Sequence, residues 1–209
     1  MDVAAVIPAF NEEKTIAQVV KTVREVPLVK EIIVVNDGST DNTGKIAEEA
    51  GARVINLRSN MGKGGAMVVG VRSTQAGIIL FLDADLIGLQ PSHVYDLINP
   101  VLQGETEMTI GVFDEGRFAT DLAQFLTPYL SGQRAVKREI FETVSGLDLS
   151  RFGVEIALTR FVKSAGISFK EVELKQMSHL MKEEKLGLIK GFKARMKMYW
   201  EIAKCVGRN

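Results

Sequence analysis

Gly77-Ile78-Ile79-Leu80-Phe81-Leu82-Asp83-Ala84-Asp85 is an unbroken apolar run closed by two carboxylates. A run of this length bounded by a turn signal reads as a strand buried on both faces, the kind found in parallel sheets. Open α/β sheets bind their ligands beyond the carboxyl ends of the strands. Asp83 and Asp85 are therefore placed where oxygen ligands can hold a hard divalent cation beside a diphosphate. An isolated D-x-D triplet also occurs in solvated, helix-capping turns, so its meaning depends on the rest of the chain.

The flanking sequence alternates strand and helix. Residues 3–7 form a short apolar strand ending at Pro8, and a helix is predicted over 12–25, with Ile16, Val19, Val20 and Val23 at helical spacing. A second strand spans 31–35, and the turn Asp37-Gly38-Ser39-Thr40-Asp41 can cap a helix that stops at Gly51. A third strand spans 53–57, and Gly62-Lys63-Gly64-Gly65 opens a helix to about residue 74. Such alternation implies right-handed crossovers and a parallel sheet covered on both faces. Further on, helices are expected over 91–102, 118–130 and 153–165, strands over 108–112 and 168–174, and a polar loop over 113–117. The expected organisation is one domain over 1–209, with a ligand-binding half (1–90), a second half (91–180) and a C-terminal helix (181–209).

Composition narrows the class. The 26 basic and 26 acidic residues cancel, which argues against a generic nucleic-acid binder. The single cysteine, Cys205, excludes an internal disulfide framework and a cysteine-based zinc cluster. The start Met1-Asp2-Val3 has no basic region leading an apolar core, and no apolar run reaches the length of a membrane span. A cytoplasmic location is expected.

Two phosphate motifs fail. Gly62-Lys63 lacks the earlier glycine of a P-loop, and no Ser or Thr follows the lysine. A dinucleotide fingerprint would need glycine at Met67 and would follow the first strand. What remains is an ordered set of loops: Pro8-Ala9-Phe10-Asn11-Glu12-Glu13, Asn36-Asp37-Gly38-Ser39-Thr40-Asp41, Asn60-Met61-Gly62-Lys63-Gly64 and Asp83-Ala84-Asp85-Leu86. In this order they resemble the family 2 glycosyltransferases with the GT-A fold, over about the first 90 residues.

The resemblance implies a metal-dependent enzyme that moves a hexose from a nucleoside diphosphate sugar, with UDP-glucose the expected donor and Mg²⁺ or Mn²⁺ the cofactor. Pro8, Ala9, Phe10 and Glu12 would line the nucleoside pocket, and Asp37 would accept a hydrogen bond from the base. Gly62 and Lys63 would face the diphosphate, the lysine as a point charge at a helix start. Asp83 would contact the ribose or a metal-bound water, with Ala84 beside it, while Asp85 would bind the metal directly. His179 would be a further ligand. A sugar nucleotidyltransferase should carry a glycine- and arginine-rich first loop, which Pro8-Ala9-Phe10-Asn11 is not. A non-catalytic nucleotide-sugar-binding protein is the other alternative.

In the second half, Gly132-Gln133-Arg134 resembles an acceptor-side segment, so Gln133 and Arg134 are candidate contacts to an anionic acceptor. Glu155, in Gly153-Val154-Glu155-Ile156, is a candidate general base or acceptor-orienting group. The loops around 114–117 and 132–134 resemble glucosyl-3-phosphoglycerate synthases, whereas the first half equally resembles polyprenyl-phosphate sugar synthases. From Lys182 to Arg208 there are eight basic and three acidic residues, with Leu186, Ile189, Phe192, Met196, Tyr199 and Trp200 on one helical arc. Such a helix, over 182–206, suits packing on the domain, a homodimer contact, or peripheral contact with the inner face of a membrane. The acceptor is thus expected to be a small anion or a lipid phosphate.

Overall fold

The computed structural model describes residues 1–113, 131–144 and 153–179. The loop expected at 114–117, the helix at 118–130, the C-terminal helix at 182–206 and Cys205 lie outside the described residues. The chain divides into two compact units, Met1–Met177 and Ser178–Asn209.

In the first unit the strands are β1 (Val3–Ala9), β2 (Val29–Asn36), β3 (Arg53–Asn56), β4 (Ile78–Phe81), β5 (Leu86–Ile87), β6 (Met108–Phe113), β7 (Arg134–Lys137) and β8 (Phe169–Leu174). The helices are α1 (Ile16–Arg24), α2 (Thr43–Glu49), α3 (Gly62–Arg72), α4 (Pro91–Leu102), α5 (Arg138–Val144) and α6 (Gly153–Ser164). The second unit contributes β9 (Ser178–His179) to the described residues.

Seven strands form one sheet in the order β3-β2-β1-β4-β7-β6-β8. The pairs β1–β2, β1–β4, β2–β3 and β6–β8 are parallel, and β7 runs antiparallel to both its neighbours. This is the mostly parallel, doubly covered sheet expected for a GT-A fold. Successive residues of β1 point to opposite faces, as strand geometry requires. Val3, Ala5 and Ile7 join a core with α1 and α4, including Ile16, Val20, Leu97 and Ile98. Ala4 and Val6 join the opposite core with Met67 and Val71 of α3, Phe141 of α5 and Leu158 of α6. Gly70 permits the close approach of α3 to the sheet, because a Cβ there would lie 2.3 Å from Val6 Cγ1.

Several boundaries differ from the sequence reading. β1 continues through Pro8 to Ala9, in register with Val35 and Asn36. α1 begins at Ile16 rather than at residue 12, because residues 11–13 spend their N–H groups on the loop after β2. β7 and α5 were not anticipated; both fall in a segment whose residues suggested a ligand contact. His93 is buried, and its Nδ1 accepts the Gln90 N–H at the start of α4.

Candidate active site

The strand order places β2 and β4 on opposite sides of β1, so the chain switches direction there. Such switch points open a crevice at the carboxyl ends of the strands. The loops after β1, β2, β3 and β4 are the four conspicuous in the sequence.

The first two loops are clasped together. Asn11 N–H donates to Ser39 Oγ (2.9 Å), Glu12 N–H to Thr43 Oγ1 (2.8 Å) and Glu13 N–H to Asp41 Oδ2 (3.3 Å). In return, Thr40 N–H donates to Asn11 Oδ1 (2.9 Å) and Asn42 N–H to Glu13 Oε2 (3.1 Å). Asn11 adopts φ +57°, a left-handed conformation that asparagine tolerates better than most residues. Asp41 caps α2 by accepting the Thr43 N–H (3.0 Å) and hydroxyl (2.5 Å). Burial works to raise the Asp41 pKa, but the hydrogen bonds from Thr43 and Glu13 together hold it below its ordinary value. Phe10 stands exposed at the end of this clasp, with Pro8 half-buried and Ala9 buried beneath it.

Asp37 fixes the third loop. Its own N–H donates to Ala9 O (2.8 Å), and its Oδ1 accepts the Met61 N–H (2.7 Å) just before α3. Asp37 thus anchors the backbone just before α3, whereas the carboxylate that accepts the first N–H of α2 is Asp41. Gly62 opens α3 with φ +79°, and Lys63 follows it in the first turn.

Lys63 is the centre of a compact charge cluster. Its Nζ lies 2.5 Å from Asp83 Oδ1 and 2.8 Å from Glu155 Oε1. Asp83 comes from the end of β4 and Glu155 from the first turn of α6, so one side chain joins three elements. Burial by itself would lower the lysine pKa, yet the two carboxylates outweigh it and raise the value. Glu155 is only 2% exposed. Apart from the Lys63 ammonium, neither of its carboxylate oxygens has a hydrogen-bond partner among the described residues.

The antiparallel course of β7 carries its amino end to this cluster, with Arg134 paired to Phe81 two residues before Asp83. Gln133 Nε2 donates to Asp83 Oδ2 at 2.8 Å. Gly132 supplies space, since a Cβ there would come within 2.4 Å of both Lys63 Nζ and Asp83 Oδ1. Gln133 and Arg134, expected to contact an acceptor, are both 0% exposed, with their polar groups engaged by protein partners. The Arg134 guanidinium donates to Ser131 O, to Glu155 O (3.1 Å) and to Thr159 Oγ1 (3.4 Å). Burial pushes its pKa down to about 10, opposed by Glu155 and Asp83. Ser131 and Thr159 are parts of this network that sequence reasoning does not single out; both are small polar residues without a motif of their own.

Ala84 is buried in the turn after β4, and Asp85 is half-buried at its end. Asp83 and Asp85 together offer hard oxygen donors, and among the described residues no set of three or more acidic, histidine or cysteine side chains forms a cage. That donor set fits a hard divalent cation of the kind bound by one or two carboxylates, with substrate phosphates completing the coordination. His179 lies in β9, and its side chain is outside the described residues.

Comparison with known proteins identifies the family. A family model described as Glycosyl transferase family 2 matches residues 4–155. An uncharacterized protein of Methanocaldococcus jannaschii is 30% identical over 94% of this chain and 90% of its own length. Glucosyl-3-phosphoglycerate synthase of Mycobacterium tuberculosis is 38% identical over 112 residues, which cover 49% of this chain and 35% of that enzyme. A crystal structure of the M. tuberculosis synthase with Mn²⁺, uridine diphosphate and phosphoglyceric acid superposes with a TM-score of 0.75 at 30% identity, covering 86% of this chain and 70% of that one. The ordered loops, the sheet and the family match lead to one assignment: this chain belongs to the glycosyl transferase family 2.

Proposed function

We propose that this chain transfers glucose from UDP-glucose to an acceptor that is either a small phosphorylated acid or a lipid phosphate. The observation that carries the reading is the Lys63–Asp83–Glu155 cluster at the carboxyl end of the sheet. It combines a cation able to face a diphosphate with a buried carboxylate able to accept a hydroxyl hydrogen. The solved relative's complex with Mn²⁺, uridine diphosphate and phosphoglyceric acid supports the same chemistry.

In this reading the clasped loops form the floor of the nucleoside pocket, with Pro8, Ala9, Phe10 and Glu12 along it and Asp37 beneath the base. Lys63 and the start of α3 attract the diphosphate and stabilise the negative charge that grows on the leaving oxygen. Asp85, with Asp83, would hold Mn²⁺ or Mg²⁺, which supplies further neutralisation of that charge. Glu155 accepts a hydroxyl hydrogen and so orients the sugar or acceptor for transfer. The basic segment 182–206 would supply contact with an anionic membrane or with a second subunit. Cosedimentation with anionic liposomes that weakens in high salt is the expected sign of membrane contact.

The test is acceptor-dependent release of UDP from UDP-glucose with Mn²⁺, using 3-phosphoglycerate and a polyprenyl phosphate as separate acceptors. One acceptor should accelerate release, and Asp85→Ala should abolish the acceleration. Release that no acceptor accelerates, or that survives in Asp85→Ala, sinks the proposal. Binding of UDP-glucose with no turnover would favour a non-catalytic binding protein.

A further inference from the structure

Gln133 is buried, yet its carboxamide is fully engaged on two sides. Nε2 donates to Asp83 Oδ2 at 2.8 Å, and Oε1 accepts the Ser131 hydroxyl at 3.1 Å. The Gln133 N–H donates back to Ser131 Oγ at 3.3 Å. Because the serine hydroxyl meets the carboxamide oxygen, the amide nitrogen is left to face Asp83. The other Asp83 oxygen, Oδ1, holds the Lys63 ammonium at 2.5 Å. A relay therefore runs from Ser131 through Gln133 and Asp83 to Lys63, just before the antiparallel β7. Gly132 sits within this relay, and the missing Cβ is what lets the lysine and the aspartate meet.

We propose that Gln133 is a positioning residue that sets the Asp83 carboxylate and, through it, the location of the Lys63 ammonium, and that it makes no contact with the acceptor. An amide donor holds a carboxylate without adding charge, so both Asp83 oxygens stay committed and the lysine is kept in one place. Without Gln133, Asp83 loses the donor on Oδ2 that fixes its orientation, and Lys63 shifts with the carboxylate. That the lysine serves a diphosphate rests on the proposed function; the relay itself does not.

The test is residue-resolved lysine acylation of the free protein, followed by peptide mass spectrometry, with no nucleotide, metal or acceptor present. Lys63 should react slowly in the natural chain. In Gln133→Met, which keeps an unbranched side chain but no donor, its rate should rise about tenfold, the scale of one lost hydrogen bond to a charged group. The other lysines should keep their rates. Ser131→Ala leaves the amide but removes what orients it, and should give a smaller rise at Lys63 alone. Should Gln133→Met not fold, Ser131→Ala carries the test. An unchanged Lys63 rate overturns the proposal, as does a rise shared by all lysines, which would mean general loosening. Where turnover is found, Gln133→Met should lower kcat and leave the acceptor KM alone. A raised acceptor KM with unchanged kcat would place Gln133 on the acceptor instead. Absence of turnover in the natural chain sinks the proposed function, while the acylation result still decides the relay.

Discussion

Lys63 lies between two carboxylates that would repel each other if it were removed. Lys63→Met should therefore lower UDP-glucose turnover by about a hundredfold or more, the usual scale for losing one preorganised electrostatic contact. Lys63→Arg should not restore it, because a planar fork is a poor replacement for a point charge in a site sized for an ammonium. Steady-state kinetics of the two variants check this, and wild-type turnover in Lys63→Arg would count against the geometry. The same crowding predicts the effect of Gly132→Ala. Its Cβ would fall within 2.6 Å of Lys63 Nζ and both Asp83 oxygens, so the ion pair must open. Turnover should drop strongly, and overpacking should cost about 1–3 kcal/mol in denaturant unfolding. These residues were unevenly legible. Lys63, Asp83 and Glu155 stand out as charges beside glycines or strand ends, and the structure brings all three together. Gln133 and Arg134 also stand out, but a sequence shows their chemistry and not their burial.

At the scale of elements, two effects compete at Gly70 in α3. Alanine is favoured over glycine in a helix by about 1 kcal/mol. Here, however, the added methyl meets Val6 Cγ1 at 2.3 Å on a central strand that cannot move aside. The clash should win, so Gly70→Ala should lower stability, and adding Val6→Ala should recover part of the loss in a double-mutant cycle. Additive losses would mean that α3 does not seat on Val6. α4 offers a pH test. Burial holds His93 below its ordinary value of about 6.5, against the opposing influences of Asp96 and the Lys175 backbone. The unfolded chain then binds a proton at higher pH than the native one does, so stability is lost as pH falls from about 6.5 through the lower native value. His93→Gln should flatten the slope of unfolding free energy over that range; an equal slope in both proteins would contradict the assignment. Apolar spacing announced α1, and the glycine-rich opening Gly62-Lys63-Gly64-Gly65 announced α3, whose residues are buried nearly all round. β7 was missed because Arg134-Ala135-Val136-Lys137 is too short to show a period, and its partners β4 and β6 are distant in sequence.

For the molecule as a whole, the parallel half of the sheet was legible because each strand is a local apolar run followed by a local turn. The antiparallel insertion was not, because register between distant strands leaves no local mark. Yet that insertion completes the cluster, so a ligand spanning the loops should couple strands far apart in the chain. UDP with Mn²⁺ should therefore stabilise the whole first unit and not a single loop. At a ligand concentration of about 100 times Kd, linkage gives about 2.7 kcal/mol. For a chain of this size that corresponds to a rise in Tm of roughly 5–10 °C. UDP alone should give a smaller rise, because Asp83 and Asp85 would then face the diphosphate without an intervening cation. Asp85→Ala should remove the Mn²⁺-dependent part and leave the UDP-only part, since the nucleoside loops around Asp37 are untouched. Differential scanning fluorimetry with the four combinations of UDP and Mn²⁺ separates these terms. An equal Mn²⁺-dependent rise in Asp85→Ala would move the cation site away from the end of β4.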